Sequence, residues 1–241
     1  MFVAQTNSTN TLFKELIAEG NPPEFIYAGY QTAGRGQTGN SWESEENKNL
    51  LCSILLPPRT NLFELNVITA VAVHKAISEL GINELAIKWP NDIYWQDKKI
   101  AGILIENAIV GNEVKYSIAG IGLNVNQAEW HSSAPNPISL KQITGKEYDI
   151  ETLMQQLLDE VHKALHEDVW DYYKAHLYRR EGFWPFVERE VDTTPTMNAS
   201  VQTPGSFTAR IVDVQPSGEI VLEDENQQQR IYHFKQIRYV I

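Results

Sequence analysis

The sequence predicts an α+β fold, in which a mixed β-sheet with flanking helices is followed by a small antiparallel β-barrel. Segments with helical periodicity are interspersed with short Ile- and Val-rich segments before residue 150. A long helical pattern then leads to Trp184-Pro185, after which the chain shows only short alternating stretches between turns. We therefore expect a larger domain over residues 1–186 and a small β-domain over residues 187–241.

Three segments have the periodicity and end signals of helices. "STNTLFKELIAEG" offers Ser8 or Thr9 as an N-cap, presents one apolar face and ends at Gly20. "LFELNVITAVAVHKAISELG" ends at Gly81. A single long helix is expected from about Ile150 into "DVWDYYKAHLYRR".

Apolar segments bounded by turn residues predict the strands of the larger domain. These segments are Glu24–Tyr30, Asn49–Pro57, Leu85–Asp92 and the pair "KKIAGILIENAIV" and "EVKYSIAGIGLNVN", which Gly111-Asn112 would join as a hairpin. Cys52 lies in the most apolar of these strands, so we expect it to be a buried structural thiol.

Composition and charge exclude several classes of protein. The net charge of -11 over 241 residues argues against a nucleic-acid-binding protein, since phosphate contacts need clustered Lys and Arg. With one cysteine the chain forms no internal disulfide, which indicates a cytoplasmic protein. No signal peptide is recognisable, and no apolar run approaches the roughly 20 residues that span a bilayer.

The segment "AGRGQTGNSW" (Ala33–Trp42) contains the pattern G-x-G-x-x-G. A dinucleotide site would require a helix to open at Gly39 and an acidic residue roughly 20 positions later, and neither is present. Glycine amides together with Arg35 instead favour a bound carboxylate or phosphate. The alternative is a surface loop whose glycines only serve its turns.

A second candidate site is "KWPNDIYWQDKKIAGILIE", in which Lys88, Asp92 and Lys99 surround a turn stiffened by proline. Two lysines converging with a carboxylate indicate a polyphosphate and a divalent cation. Gly102 on the following strand would permit a ligand to approach the backbone closely. The alternative is that the lysines are surface residues with buried stems.

Five blocks in this order and spacing resemble the biotin–protein ligases. They are "STN", "QTAGRGQTGNSW", "NLLCSIL", "KWPNDIYWQDKKIAGILIE" and "GIGLNVN", and the β-barrel after a long helix extends the likeness over most of the chain. The resemblance implies a catalytic core similar to class II aminoacyl-tRNA synthetases over 1–186 and an SH3-like barrel over 187–241. No segment before "STN" has the length of a helix-turn-helix, so we expect the monofunctional form without a DNA-binding domain.

The resemblance also implies an activity. Enzymes of this family convert biotin and ATP to biotinyl-5′-AMP and pyrophosphate, with Mg²⁺. They then transfer biotin to a lysine of a biotin carboxyl carrier protein, here of an acetyl-CoA carboxylase or a related carboxylase. The alternatives are acyl transfer of the lipoate–protein ligase or octanoyl transferase type, and a non-catalytic biotin or adenylate sensor. Pairing at an exposed sheet edge into a homodimer is left open.

The resemblance assigns residues to each part of the ligand. Hydroxyl and amide groups for the ureido ring of biotin would come from Ser8, Thr9, Asn10 and Gln31. Arg35 and Lys99 would stabilise the approaching carboxylate and α-phosphate, and Asp92 would orient the incoming lysine or Mg²⁺. The other positions matched to the nucleotide and phosphates are Gly34, Gly36, Gln37, Trp42, Lys88, Asn91, Gly102 and Asn124. No cluster of metal-ligating side chains is expected.

Three of these positions have an alternative role or depart from the family pattern. Trp42 would stack on adenine; the alternative is that it only packs within the loop. Asn124 would lie near the nucleotide; the alternative is that it belongs to an ordinary strand-end turn. Gln37 stands where family loops often carry a second arginine, so we expect faster escape of the intermediate.

Overall fold

The computed structural model describes residues 1–111, 113–132, 134–189 and 205–241, arranged around two sheets. The larger sheet contains β1 (Phe2–Thr6), β2 (Phe25–Gln31), β3 (Leu50–Leu56), β4 (Leu85–Lys88), β5 (Asp92–Trp95), β6 (Lys98–Val110) and β7 (Glu113–Leu123). Their order is β1-β2-β3-β7-β6-β5-β4. β1 pairs with β2 in parallel and the other neighbours pair antiparallel, which confirms the predicted mixed sheet.

The strand predictions agree with this sheet except at its edge. β1 was not predicted, because its short segment lacks clear alternation. The segment predicted from Leu85 to Asp92 becomes two strands, β4 and β5, around the turn of Trp89, Pro90 and Asn91, called the proline turn below. In the hairpin of β6 and β7, Gly111 has a φ of 62°, whereas Asn112 lies outside the described residues.

The helices are α1 (Thr9–Ala18), α2 (Leu62–Ser78), α3 (Leu140–Thr144), α4 (Ile150–His166) and α5 (Trp170–Ala175). The prediction of one long helix from Ile150 is wrong. At Glu167 the backbone turns to an extended conformation, with φ -110° and ψ 155°. Asp168 Oδ1 then accepts a hydrogen bond from Trp170 N at 3.1 Å, so a new helix starts at Trp170.

One face of the larger sheet is closed by α2 and α4. Residues paired across neighbouring strands point to the same face of a sheet. On the face toward α2 and α4, Cys52, Ile121 and Ile103 are paired in this way and form one continuous row. All three are buried in the main apolar core, together with residues of α2 and α4. Cys52 is fully buried, as predicted, and burial raises the pKa of its thiol to about 12.

The opposite face carries smaller and more polar residues. Here α1 covers part of the sheet, with Phe13 buried against Ile118. Next to it, the aligned positions Gly102 and Gly122 have no side chain, and Gly120 follows on the same side of β7. This face therefore stays open beside α1.

The second sheet contains β8 (Trp184–Glu188), β9 (Ser206–Val214), β10 (Ile220–Asp224), β11 (Gln229–Tyr232) and β12 (Ile237–Tyr239). All its pairs are antiparallel, in the order β11-β10-β9-β8-β12, which is consistent with the predicted SH3-like domain. It begins at Trp184, before the predicted boundary at residue 187.

The second sheet rests on the proline turn of the first. Trp89 Nε1 donates to Gly218 O at 3.0 Å, and the two parts of the molecule are further joined by an ion pair of 2.7 Å between Lys174 and Asp213. Tyr173 OH donates to Pro90 O at 2.8 Å from α5. The turn is thus held between both parts of the molecule. Among the described residues, no helix is long and apolar enough to cross a membrane.

Candidate active site

A cavity of about 310 Å³ lies on the open face of the larger sheet. It is bounded by the start of α1, by the loop Ala33–Trp42 (the glycine loop), by the proline turn and by the second sheet. The predicted residues that line it are Ser8, Thr9, Asn10, Gln31, Arg35, Gly36, Gln37, Trp42, Lys88, Asn91, Asp92, Lys99 and Gly102. Gly34 and Asn124 do not line it.

One end of the cavity is a network of neutral polar groups. Gln31 Oε1 accepts hydrogen bonds from Thr9 N at 2.7 Å and from Thr9 Oγ1 at 3.1 Å. Ser53 Oγ lies 2.7 Å from Thr9 Oγ1 and 2.6 Å from Asn10 Oδ1. Ser8, Thr9 and Asn10 are buried, and these contacts fix the Thr9 and Asn10 side chains. A ligand here meets both donors and acceptors in set positions.

Gly102 and Gly122 form the floor of the cavity, and the Trp42 ring lies directly on them. A Cβ on Gly122 would collide with Trp42 Cε2, and one on Gly102 would be 3.0 Å from Trp42 Cζ3. The indole Nε1 is buried and has no hydrogen-bond partner among the described residues. The site therefore holds a flat aromatic surface with a free donor.

The glycine loop folds back on itself and does not open a helix. Arg35 and Ser41 form an isolated antiparallel bridge, and Gly36 N donates to Asn40 O at 2.7 Å. Only one turn of 3-10 helix, Gln37–Gly39, stands at its tip. Gly34 serves the loop itself, since an added Cβ would lie 2.7 Å from the carbonyl oxygen of Trp42. The loop therefore lacks the helix that a dinucleotide site requires after its third glycine.

Arg35 reaches from the loop toward α1. Its NH2 group lies 3.0 Å from Glu106 Oε2 and 3.3 Å from Thr11 Oγ1. Its side chain remains 43% exposed, so the guanidinium has room to move into the cavity. Arg35 lines the same cavity as the lysines of the proline-turn region.

The predicted cluster of two lysines and a carboxylate forms beside the proline turn. Lys99 Nζ lies 2.8 Å from Asp92 Oδ1, and Lys88 is paired with Asp92 across β4 and β5. The Lys88 ammonium lies 5.1 Å from the ring centroids of both Tyr94 and Tyr239. Two aromatic faces thus support a lysine that has no ion pair of its own among the described residues.

The environment of Lys88 favours binding of an anion. Burial lowers the pKa of Lys88, and the positive charges of Lys99, Arg179 and Arg189 lower it further, against the opposing effect of Asp92. An incoming phosphate would relieve this repulsion by supplying negative charge.

Two predicted asparagines have structural contacts. Asn91 Nδ2 donates to Ile103 O at 2.6 Å and so fixes the proline turn on β6. Asn124 Nδ2 donates to Ile138 O at 3.0 Å, while its Oδ1 has no partner among the described residues. Asn124 lines a second cavity of about 290 Å³, which shares Trp42 and Lys99 with the first.

The second sheet and its flanking residues contribute cations that the sequence did not reveal. Arg189, Lys235 and Arg238 line the main cavity opposite the glycine loop. With Arg35, Lys88 and Lys99 they make six positive side chains, and Asp92 is the one carboxylate among the described lining residues. A strongly acidic chain has therefore concentrated positive charge at one cavity. No local pattern marks these three residues, because they are distant in sequence from the other motifs.

Two further polar residues were missed for a different reason. Ser53 and Glu106 each stand inside an apolar strand segment, where the polar letter was the only available signal. Ser53 joins the network of Thr9 and Asn10, and Glu106 binds Arg35.

The match to a known protein family covers α1, the glycine loop and the proline turn, but not Arg189, Lys235 or Arg238. Positions 2–124 match the model of the Biotin/lipoate A/B protein ligase family, which spans half of the chain. The chain belongs to this family.

Named members and structures agree with this assignment. The chain is 30% identical over 188 residues to the bifunctional ligase/repressor BirA of Escherichia coli, covering 76% of this chain and 55% of that protein. It is 31% identical over 167 residues to the biotin–[acetyl-CoA-carboxylase] ligase of Paracoccus denitrificans, covering 64% and 68%. The structure of the biotin protein ligase from Aquifex aeolicus in complex with biotin and ATP shares the fold. Its TM-score is 0.76 at 24% identity, and the match covers 100% of this chain and 98% of that one. The chain thus spans little more than half the length of the E. coli family member.

Proposed function

We propose that this family member is an ATP-dependent biotin–protein ligase. It would form biotinyl-5′-AMP and pyrophosphate from biotin and ATP, and then biotinylate a lysine of a biotin carboxyl carrier protein. One observation carries this proposal: a neutral hydrogen-bonding end and a strongly cationic end share one cavity of about 310 Å³. The relative from Paracoccus denitrificans, a biotin–[acetyl-CoA-carboxylase] ligase, supports the same activity.

The first step joins two negatively charged groups. A carboxylate oxygen of biotin attacks the α-phosphorus of ATP, and pyrophosphate leaves. Arg35 and Lys99 would offset the repulsion between these groups and the charge that develops at phosphorus. Lys88, with Arg189 and Arg238 from the second sheet and its border, would hold the remaining phosphates.

In the second step the amine of the carrier lysine attacks the acyl carbon, and AMP leaves. The amine must lose a proton to become a nucleophile. Asp92 is the carboxylate at this end of the cavity, and it would orient the incoming ammonium group in place of Lys99, its present partner at 2.8 Å.

Mg²⁺ would enter the cavity bound to the phosphates of ATP. Within the described residues, no group of three or more His, Cys, Asp or Glu side chains is arranged to hold a metal ion. Mg²⁺ would supply charge neutralisation as a complex with the phosphates of ATP, and Asp92 is the residue placed to contact such a complex.

The hydrogen-bonding network favours biotin over lipoate as the substrate. A ureido ring has donors and a carbonyl acceptor, and the groups of Thr9, Asn10, Gln31 and Ser53 can match them. The dithiolane ring of lipoate has neither, so it would gain no hydrogen bonds from this network, whereas a ureido ring would gain several.

We further propose the setting of the reaction. The division into a catalytic domain (1–186) and a small barrel (187–241) is supported by the two sheets. The acceptor would be the carrier domain of an acetyl-CoA carboxylase or related carboxylase, in the cytoplasm. The net charge of -11 argues against nucleic acid as a partner. The exposed Phe2 on the edge strand β1 supports a homodimer formed at that edge.

A labelled-substrate assay tests the proposal directly. Purified protein, ATP and Mg²⁺ are incubated with a carrier domain and either radiolabelled biotin or lipoate. We expect label from biotin on the carrier lysine and biotin-dependent exchange of pyrophosphate into ATP. Exchange without transfer would indicate a wrong acceptor, and label from lipoate alone would identify a lipoate ligase. If biotin binds without any exchange, the protein is a sensor and the proposal is wrong.

A further inference from the structure

Glu106 on β6 connects the neutral end of the cavity to the glycine loop. Its Oε2 accepts hydrogen bonds from Asn10 Nδ2 at 2.8 Å and from Arg35 NH2 at 3.0 Å. Its Oε1 accepts one from Lys14 Nζ at 2.7 Å. The carboxylate is only 21% exposed, whereas the two cations are 42% and 43% exposed. One half-buried group therefore holds three side chains from two distant segments.

The carboxylate is the stronger of two acceptors that orient the Asn10 amide, the other being Leu104 O at 3.4 Å from Asn10 Nδ2. A carboxylate can only accept hydrogen bonds, so the amide nitrogen of Asn10 must be the end that meets Glu106. The amide oxygen then points to the other side, where Ser53 Oγ lies 2.6 Å away. Gly120 makes room for it, since a Cβ there would be 2.5 Å from Asn10 Oδ1. Asn10 thus offers an acceptor, not a donor, to the cavity.

Glu106 has two cationic partners, one more than is needed to balance its charge. Two cations, Lys14 and Arg35, face one carboxylate. Burial acts to raise the pKa of Glu106, but hydrogen bonds from Lys14 and Asn10 and the charges of Lys14 and Arg35 outweigh it and lower the pKa. If Arg35 leaves to bind another anion, Lys14 still neutralises the carboxylate.

We propose that Glu106 is a positioning residue for acyl activation: it fixes the Asn10 carbonyl oxygen toward the ureido ring and holds Arg35 aside until the ligand carboxylate arrives. This inference rests on the proposed biotin-ligase activity. Arg35 then exchanges Glu106 for the carboxylate and α-phosphate, and Lys14 remains as the counter-ion of Glu106.

The first test separates binding from chemistry. In Glu106→Gln the Asn10 amide keeps only the longer hydrogen bond from Nδ2 to Leu104 O, at 3.4 Å, as a contact that requires the nitrogen on this side. We therefore expect the Kd for biotin to rise about tenfold, the loss of one charge-assisted hydrogen bond. Arg35 is released and not lost, so the change in the single-turnover rate of biotinyl-AMP formation at saturating biotin should be smaller than the change in the Kd. Glu113→Gln is the matched control, because Glu113 lies on the same hairpin and forms its ion pair with Lys115. An unchanged biotin Kd in Glu106→Gln would overturn the assignment.

Exchanging the donor and the acceptor gives a rescue experiment. Asn10→Asp alone sets two carboxylates against each other and should weaken biotin binding. In the double variant Asn10→Asp with Glu106→Gln, the amide introduced on β6 donates to the carboxylate introduced on α1, and the total charge equals that of wild type. We expect the double variant to bind biotin more tightly than either single variant. Additive losses would contradict the proposed orientation.

Lys14→Met tests the counter-ion role. Arg35 becomes the only cation left to Glu106 and is held more strongly. We expect the single-turnover rate of adenylation to fall about fivefold, with the biotin Kd within about twofold of wild type. An unchanged or faster rate would show that Glu106 does not retain Arg35. Thermal unfolding confirms that each variant is folded. If wild-type protein makes no biotinyl-AMP, the proposed function fails; if wild type is active and the variants match it, this inference alone fails.

Discussion

The two faces of the larger sheet are built by the same strands yet differ completely in chemistry. On the side of α2 and α4, the row Cys52–Ile121–Ile103 is buried and tightly packed. The adjacent row, Leu51–Gly122–Gly102–Asp92, faces the opposite side of the sheet. The Trp42 ring lies on its two glycines, in the space that side chains would otherwise fill. Successive side chains point to opposite faces, so a single strand supplies both core and ligand floor.

The cavity on the open face exists because Gly102 and Gly122 have no side chains. Two glycines leave space above β6 and β7, and long polar side chains from α1, the glycine loop and the second sheet fill its borders. Changes on this face should affect ligand handling with little cost in stability. Changes on the covered face should affect stability alone.

The largest expected effect is on the open face, at Lys99. In Lys99→Ala the cavity loses the ammonium beside Asp92, and we expect adenylation to fall on the order of 10²-fold or more. Single-turnover formation of biotinyl-AMP measures it. Lys98→Ala removes the same charge from the exposed neighbour and should leave the rate near wild type. Equal rates in the two variants would remove Lys99 from the mechanism.

On the covered face, the largest expected effect is a dependence of the free energy of unfolding on pH. Burial lowers the pKa of His74 in α2 from 6.5 to about 4, with a smaller contribution from His176 and against the hydrogen bond to Leu85 O. Between these pH values the unfolded chain binds the additional proton. The free energy of unfolding should therefore fall as pH drops from 6.5 toward 4, by about 2–3 kcal/mol at most.

Denaturant titrations at several pH values measure this dependence. His74→Gln, which does not titrate, should remove this contribution to the slope. If the wild type and His74→Gln lose stability in parallel over that range, the acid sensitivity belongs to other groups.

A matched pair of substitutions compares the two faces directly. A Cβ on Gly122 would collide with the Trp42 ring, so Gly122→Ala should displace the indole and lower kcat/KM for ATP about tenfold. Ile54→Val on the covered face should lower the free energy of unfolding by about 1 kcal/mol and leave kcat/KM unchanged. A loss of stability without a loss of activity in Gly122→Ala would contradict the assigned role of the open face.

The smallest effect concerns retention of the intermediate. Gln37 lines the cavity at the tip of the glycine loop, where an additional cation would attract the adenylate. Gln37→Arg should slow release of labelled biotinyl-AMP by about 3- to 10-fold, as for one added charge-assisted contact. Gln228→Arg adds the same charge on an exposed turn of the second sheet. Release at the wild-type rate from both variants would show that loop charge does not set retention.

Much of the molecule was predictable from local patterns. Periodicity and turn residues indicated most strands of both sheets, and the buried state of Cys52 followed from its apolar strand. The long helix was misjudged at Glu167, because apolar periodicity continues across a break made by the extended backbone at Glu167 and by the hydrogen bond from Trp170 N to Asp168 Oδ1. β1 was missed because its five residues, FVAQT, show no clear alternation.

The sequence by itself determined the family, the glycine loop and the proline turn with Lys88 and Lys99 near it, because each depends on short contiguous runs whose residue types are required locally. Only the tertiary structure decided that Arg189, Lys235 and Arg238 meet that loop across one cavity. Only it showed that Glu106 binds Arg35, and that Ser53 completes the neutral network. Pairing between distant segments depends on strand register and on how the second sheet rests on the first, and neither is written in any single stretch of residues.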